Sequence, residues 1–202
     1  MKIAACAICK NEERNIPLWL EKTKDFDYRI VVDTGSTDNS VELLSKANVI
    51  LAQKNFDPFR FDNARNFAIT LIPEDADWCI WPDFDEYYEE GWRGELEKAV
   101  KRNPAATRIT YKTFLYQNGK FMEGLESGET PDSKIHKAKI YRWVKPVHEY
   151  LSYIGNGKEI IEYTDKIKRY HVHEKSIERR KQYFEIAKTA VEENPNDEYT
   201  TW

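Results

Sequence analysis

The sequence predicts an α/β fold with a mostly parallel central sheet in its first half and a mixed, strand-rich region in its second. Three observations carry this. Up to about residue 105, short apolar runs alternate with amphipathic stretches, the rhythm of βαβ units. From Arg108 a long strand-like run ending in Asn118-Gly119, a strong hairpin signal, replaces that rhythm. The 202 residues are 41% hydrophobic and 33% charged, enough for one domain with a sizeable core.

Residues 2–9 read as a buried strand, 13–24 as a helix and Tyr28–Asp33 as a second strand. Gly35-Ser36-Thr37-Asp38 supplies a turn and candidate N-caps for a short helix running to about Ala47. Asn48–Ala52 is a third strand, Phe61–Ile72 a helix, and Trp78–Trp81 a fourth strand stopped by Pro82. Glu89–Lys101 is expected to be helical. After the Arg108–Gln117 strand, the polar, Gly- and Pro-bearing stretch Gly124–Lys134 reads as a mobile loop. Strands are expected near 138–143 and 147–154, a turn at Gly155-Asn156-Gly157, and a charged helix over Glu174–Glu193. Asn194-Pro195-Asn196-Asp197 then resembles a helix stop and a new start, so the chain is expected to be fused to further domains.

A net charge of −4 argues against a nucleic-acid partner, which needs a basic face. The acidic run Asp83, Asp85, Glu86, Glu89, Glu90, Glu95, Glu97 and the basic run Lys166, Lys168, Arg169, Lys175, Arg179, Arg180, Lys181 read, in their outer members, as solvated helix faces. Cys6, Cys9 and Cys79 cannot all pair, and the Cys6-x-x-Cys9 spacing lies inside a buried strand, so all three are expected to be core thiols in a reducing compartment. There is no apolar run of membrane-spanning length and no cleavable leader, which makes a cytoplasmic location the expectation.

In open α/β sheets ligands gather at the carboxyl ends of the strands. Those ends carry Lys10-Asn11-Glu12, Asp33-Thr34-Gly35-Ser36 and Asp83-Phe84-Asp85-Glu86. Two carboxylates one residue apart after a buried strand can hold a hard cation, Mn²⁺ or Mg²⁺, that takes its other ligands from substrate phosphates. The plainer alternative is capping of the next helix. Neither G-x-G-x-x-G nor G-x-x-x-x-G-K-[ST] occurs, so a bound phosphate would need a metal and side chains instead of a glycine-rich loop. Arg65 is a candidate phosphate or base contact, or else a salt-bridge partner of Asp62 or Asp33. Asp33 either caps the Ser36–Ser40 turn or accepts hydrogen bonds from a ligand.

Ile8-Cys9-Lys10-Asn11-Glu12-Glu13, Ile30 to Asp38, Ala64-Arg65-Asn66 and Trp81-Pro82-Asp83-Phe84-Asp85-Glu86, in that order and spacing, resemble family 2 glycosyltransferases of the GT-A fold. Val147-His148-Glu149 and Tyr170-His171-Val172-His173 are also similar to one branch of that family. The resemblance implies a GT-A-type α/β sandwich occupying residues 1–202 as one domain. Residues 1–104 would be its nucleotide-sugar-binding half, 105–173 its acceptor half, and 174–202 a C-terminal helix leading onward.

It also implies an inverting transfer from a nucleoside-diphosphate sugar, UDP-linked, to a glycan or glycoprotein acceptor. Ile8, Cys9, Lys10 and Asp33 would hold the base, with Asn11, Glu12, Arg65, Asp83 and Phe84 completing the donor site. Asp83 would face the ribose or metal, and Asp85 would ligate Mn²⁺ or Mg²⁺, with His171 or else His173 or His148 completing the shell. The chain departs from the family at Thr34, where a second Asp is common. Glu149 is the preferred general base and Asp132 its substitute.

Other classes fit less well. A nucleotidyltransferase wants a Gly-Ser pair closer to its carboxylates than Gly35-Ser36, and an aspartyl phosphatase puts D-x-D after its first strand. A non-catalytic nucleotide-sugar or glycan-binding module would carry the same surface without turnover.

Overall fold

A computed structural model describes residues 1–117, 120–121, 132–172 and 177–193. The first half follows the expected βαβ order: β1 (Ile3–Cys9), α1 (Ile16–Lys22), β2 (Tyr28–Asp33), α2 (Ser40–Ser45), β3 (Ile50–Gln53), α3 (Phe61–Thr70) and β4 (Trp78–Ile80). Strands β1, β2 and β3 pair in parallel, and β4 lies parallel to β1 on its other side. β1 is covered on both faces of the sheet and reads as an unbroken apolar run for that reason. Its alternate residues feed two cores. Ile3, Ala5, Ala7 and Cys9 face α1, and Ala4 and Cys6 face α3. Cys6, Cys9 and Cys79 are all buried and unbridged, as expected of core thiols.

The second half contributes β5 (Glu86–Tyr88), α4 (Trp92–Arg102), β6 (Arg108–Gln117), β7 (Lys120–Phe121), β8 (Asp132–Lys137), β9 (Tyr141–Val144), β10 (Tyr150–Tyr153), β11 (Ile161–Val172) and α5 (Ile177–Glu193). Among the described residues the main sheet runs β3-β2-β1-β4-β8-β6-β11-β5, with β7 on β6 and a separate β9–β10 ribbon. The sheet turns mixed at β4: β8 is antiparallel to β4 and β6, and β5 is antiparallel to β11. The result is the expected α/β sandwich with a mixed second region.

Several elements differ from expectation. Helix α1 starts at Ile16, not near 13, because Glu12–Asn15 form a turn whose Glu12 carbonyl accepts from Asn15 and Ile16. Helix α4 starts at Trp92, since Gly91, at φ 85, takes the left-handed N-cap and Glu86–Tyr88 are spent on β5. Residues 132–134, expected in a loop, open β8. The remainder of that expected loop, 124–131, lies outside the described residues. Lys166, Lys168 and Arg169 sit on strand β11, not on a helix face, and Arg169 is buried against Glu86. β8 and β11 are polar strands, buried through ion pairs as much as apolar contact, and so lack the hydrophobic alternation that marks a strand. No helix among the described residues is long and apolar enough to cross a membrane.

Candidate active site

The loops after β1 and β2 are laced together by short polar side chains. Asn11, at φ 57, donates its N–H to Ser36 Oγ (2.9 Å) and accepts from the Thr37 N–H (2.7 Å). The Glu12 N–H donates to Ser40 Oγ (2.8 Å), and Glu13 N–H to Asp38 (3.2 Å). Asp33, 2% exposed at the end of β2, accepts from the Gly35 and Ser36 N–H groups (3.0 and 3.1 Å) and from the Ser36 hydroxyl. Of its two anticipated roles, these contacts show the capping one. Gly35 itself, at φ 106, closes this turn where a Cβ would strike the Asn55 side chain at 2.7 Å.

Ile8 and Cys9 end β1 beneath these loops, and Lys10 is exposed above them. Burial, helped by the nearby Asp33 charge, pushes the Cys9 thiol up to about 12, so it is a neutral wall and not a nucleophile.

β4 delivers Asp83-Phe84-Asp85, and the three side chains diverge. Phe84 turns inward onto Trp19, with ring centroids 5.0 Å apart. Trp19 in turn donates its indole N–H to the Pro82 carbonyl (2.9 Å), fixing the turn that carries the carboxylates.

Asp83 points into a network of charges. Arg65 Nη2 donates to both its oxygens (3.0 and 3.2 Å) while Arg65 Nε donates to Glu149 Oε1 (2.9 Å). Lys134 Nζ bridges Asp83 (2.7 Å) and Glu86 (3.0 and 3.1 Å), and Arg169 Nη1 closes on Glu86 at 2.8 Å. Arg65 is 4% exposed, its guanidinium 4.8 Å from the Trp143 ring and 5.5 Å from Trp81. Among the described residues its Nη1 has no hydrogen-bond partner. Burial alone would raise the Asp83 carboxyl, but Arg65 and Lys134 overcome it and hold the group well below the usual carboxylate range. The salt bridges expected from Arg65 to Asp62 or Asp33 are replaced: Asp62 is taken by Arg60 (2.9 and 3.0 Å).

Asp85 faces the other way. Its Oδ2 lies 3.3 Å from His171 Nε2, and its carbonyl accepts from the Val172 N–H (2.8 Å), so β11 presents the imidazole to the carboxylate. Hydrogen bonding to Asp85 raises the His171 pKa against the effect of burial. About a quarter of each side chain is exposed. Asp85 lines a cleft of about 290 Å³ together with Asn11, Arg14, Lys22 and Tyr87. No third His, Cys, Asp or Glu joins the pair among the described residues.

Glu149 follows His148, which adopts φ 52, and Lys145 shortly before it has φ 81. These two left-handed residues bracket Pro146-Val147, burying Val147 and swinging the Glu149 carboxylate to Arg65. Asp132 opens β8 opposite Tyr111, and His173 lies outside the described residues. Sequence reasoning missed Lys134 and gave Arg169 no part in the site, because each sits on a strand that carries no strand signal.

Residues 5–153 match glycosyl transferase family 2. No curated protein matches the sequence significantly. Among solved structures, the fold superposes on S. aureus TarS 1–349 with a TM-score of 0.63 at 14% identity, covering 98% of this chain and 66% of that one. The same protein solved with UDP gives 0.64 over 98% and 67%, also at 14% identity. A mycobacterial protein gives 0.60 at 14% identity over 94% and 73%. The chain spans 40% of a longer TarS chain.

Proposed function

The chain belongs to glycosyl transferase family 2, and from that premise we propose that it transfers a sugar from a UDP-linked donor to a hydroxyl of a glycan or glycoprotein, with inversion at the anomeric carbon. The observation that carries this reading is Arg65, a buried guanidinium spanning Asp83 and Glu149 with one nitrogen still unpartnered among the described residues. An arginine so placed holds a donor-side carboxylate and a candidate base in one rigid unit and keeps a donor hydrogen for a ligand oxygen.

The roles divide along the network. Ile8, Cys9 and Lys10 with Asp33 form the floor for the base, where Asp33 exchanges part of its capping for a ligand N–H. Uracil offers that N–H. That S. aureus TarS has been solved with UDP and with UDP-GlcNAc is consistent with this choice. Asp83, already neutralised by two fixed cations, faces the ribose. Asp85 and His171 form a carboxylate–imidazole pair that suits Mn²⁺ or Mg²⁺, with donor phosphates and water supplying the remaining ligands. A bound cation there would neutralise the diphosphate that leaves.

Glu149 serves as the general base, taking the proton from the attacking hydroxyl, with Asp132 the substitute on β8. While Arg65 holds Oε1, the carboxylate cannot rotate, which fixes the direction from which the acceptor must approach. No step requires Phe84 to leave the core.

A thermal-shift and turnover experiment tests the reading. UDP with Mn²⁺ is expected to raise the melting temperature more than UDP with a chelator, and a UDP-hexose is expected to release UDP slowly in water. Equal stabilisation with and without metal removes the Asp85–His171 assignment. Binding without any UDP release favours a non-catalytic module.

A further inference from the structure

Helix α5 lies beyond the residues that match the family, yet it is fastened to the site. Ile186 and Ala190, one turn apart, are buried against Val147, with Phe59, Phe61 and Ala187 packed around them. Arg60, at the start of α3, pairs with Glu193 at the other end of α5. Val147 is two residues before Glu149, so this face of α5 braces the loop that aims the candidate base.

Tyr183 stands three residues before Ile186 and so shares that face, but it is not consumed by the packing. Its ring lies 5.1 Å from Phe61, tilted 38°, and 6.5 Å from the His148 ring, yet 43% of the residue is exposed. Burial and then the negative charges of Glu149 and Asp83 push its hydroxyl up to about 12, which places the phenol in the field of the acidic cluster as a neutral donor. Phe61, Tyr183 and His148 thus form a partly open aromatic wall beside Glu149.

We infer that Tyr183 is an acceptor-positioning residue, its ring and hydroxyl forming the surface against which a pyranose-bearing acceptor is laid so that one hydroxyl reaches Glu149. This rests on the glycosyl-transfer reading above. The apolar face of a sugar ring stacks on an aromatic face, and the adjoining phenol donates to a ring hydroxyl, whereas a nucleotide bound at Asp33 and Asp83 does not need either.

The test uses the full chain loaded with UDP and Mn²⁺, and reads binding of methyl α- and β-pyranosides of glucose, galactose and N-acetylglucosamine by saturation-transfer NMR. UDP affinity is measured in parallel by calorimetry. Tyr183→Ala is expected to weaken the best pyranoside about three- to tenfold, the loss of one aromatic contact. UDP affinity should stay within twofold, and Tyr183→Trp should restore pyranoside binding. Tyr183→Phe should keep the ring contribution and lose the rest. Equal pyranoside affinity in wild type and Tyr183→Ala overturns the inference, as does a wild type that binds no pyranoside. A parallel fall in UDP affinity overturns it too, since it would make Tyr183 a staple for α5. If the wild type does not bind UDP at all, the failure lies in the transfer reading beneath and takes this inference with it.

Discussion

Asp83 and Asp85 are two residues apart, follow the same strand, and live in different chemical worlds. Asp83 is locked among Arg65, Lys134 and, through Lys134, Glu86, with about a quarter of its side chain still exposed. Asp85, exposed to a similar degree, pairs with the His171 imidazole and lines a cleft. A short D-x-D pattern therefore does not describe one site with two equal ligands. Its first carboxylate is a hub held by two cations, and the second pairs with an imidazole and is the one proposed above to meet a cation. The divergence comes from Phe84, whose insertion beside Trp19 forces its two neighbours to opposite sides of the turn.

The largest effect should come from breaking the hub. Arg65→Met would leave the part-buried Asp83 and Glu149 without their shared guanidinium, and since Asp83 keeps Lys134 the cost should approach but not exceed the about 3–5 kcal/mol of a fully buried half-broken pair. Urea denaturation should show that loss, and UDP binding should go with it. A stability change below that of Asp85→Asn would erase the contrast drawn between the two carboxylates. The next largest is kinetic. Glu149→Gln keeps an oxygen for Arg65 Nε but removes the proton acceptor, so sugar transfer should fall ~10²–10⁴-fold while UDP affinity barely moves. Asp132→Asn should cost little. A dead Asp132→Asn enzyme beside an active Glu149→Gln one would transfer the base to β8.

Asp85→Asn probes the open side. The fold should survive, because its carboxylate is partly exposed and its partner His171 can discharge to neutral. What should vanish is the metal-linked part of UDP stabilisation, the share that a chelator removes from a total of about 2.7 kcal/mol for a ligand at about one hundred times its Kd. Calorimetry with Mn²⁺ and with chelator should give the same UDP affinity in this variant. If Asp83→Asn produces that loss and Asp85→Asn does not, the assignment of hub and ligand is inverted.

The sequence made the first half of this arrangement legible and most of the second half not, for a physical reason. Strands β1, β2 and β4 are buried on both faces, so apolarity alone announces them and their carboxyl ends point to Asp33, Asp83 and Asp85. Strand β6 matched its expected limits, Arg108–Gln117. Strands β8 and β11 are buried by charge pairing: Lys134 with Asp83 and Glu86, Arg169 with Glu86. Pairing is a property of distant residues, and nothing local to Asp132-Ser133-Lys134 or to Lys166-Ile167-Lys168-Arg169 records it. The usable hint was His171, read as a possible metal ligand and found 3.3 Å from Asp85.

The smallest expected effect concerns what stands behind the hub. One step down β4 and β8 from Asp83 and Lys134, the Trp81 indole donates to His136 Nε2 (2.9 Å), and His136 Nδ1 faces the Lys137 carbonyl at 2.9 Å. The ring is therefore neutral with its proton on Nδ1. Burial drives its pKa down to about 4, with the nearby Arg108 charge adding to that and the Lys137 carbonyl opposing. Because the folded value lies below the unfolded one near 6.5, the unfolded chain binds a proton that the folded chain refuses. This stability is present well above pH 6.5 and is lost as the pH falls toward 4, by about 1 kcal/mol between pH 7.5 and 5.5. His171, whose pKa is raised, contributes with the opposite sign, so the quantity to measure is a difference. His136→Gln preserves an acceptor for Trp81 without a titrating group, and its urea midpoint should fall less than the wild type's over that range. The hub should loosen with it, so UDP affinity at pH 5.5 should decline in the wild type more than in His136→Gln. Identical pH slopes in the two proteins would mean that the Asp83 side does not depend on this neutral histidine beneath it.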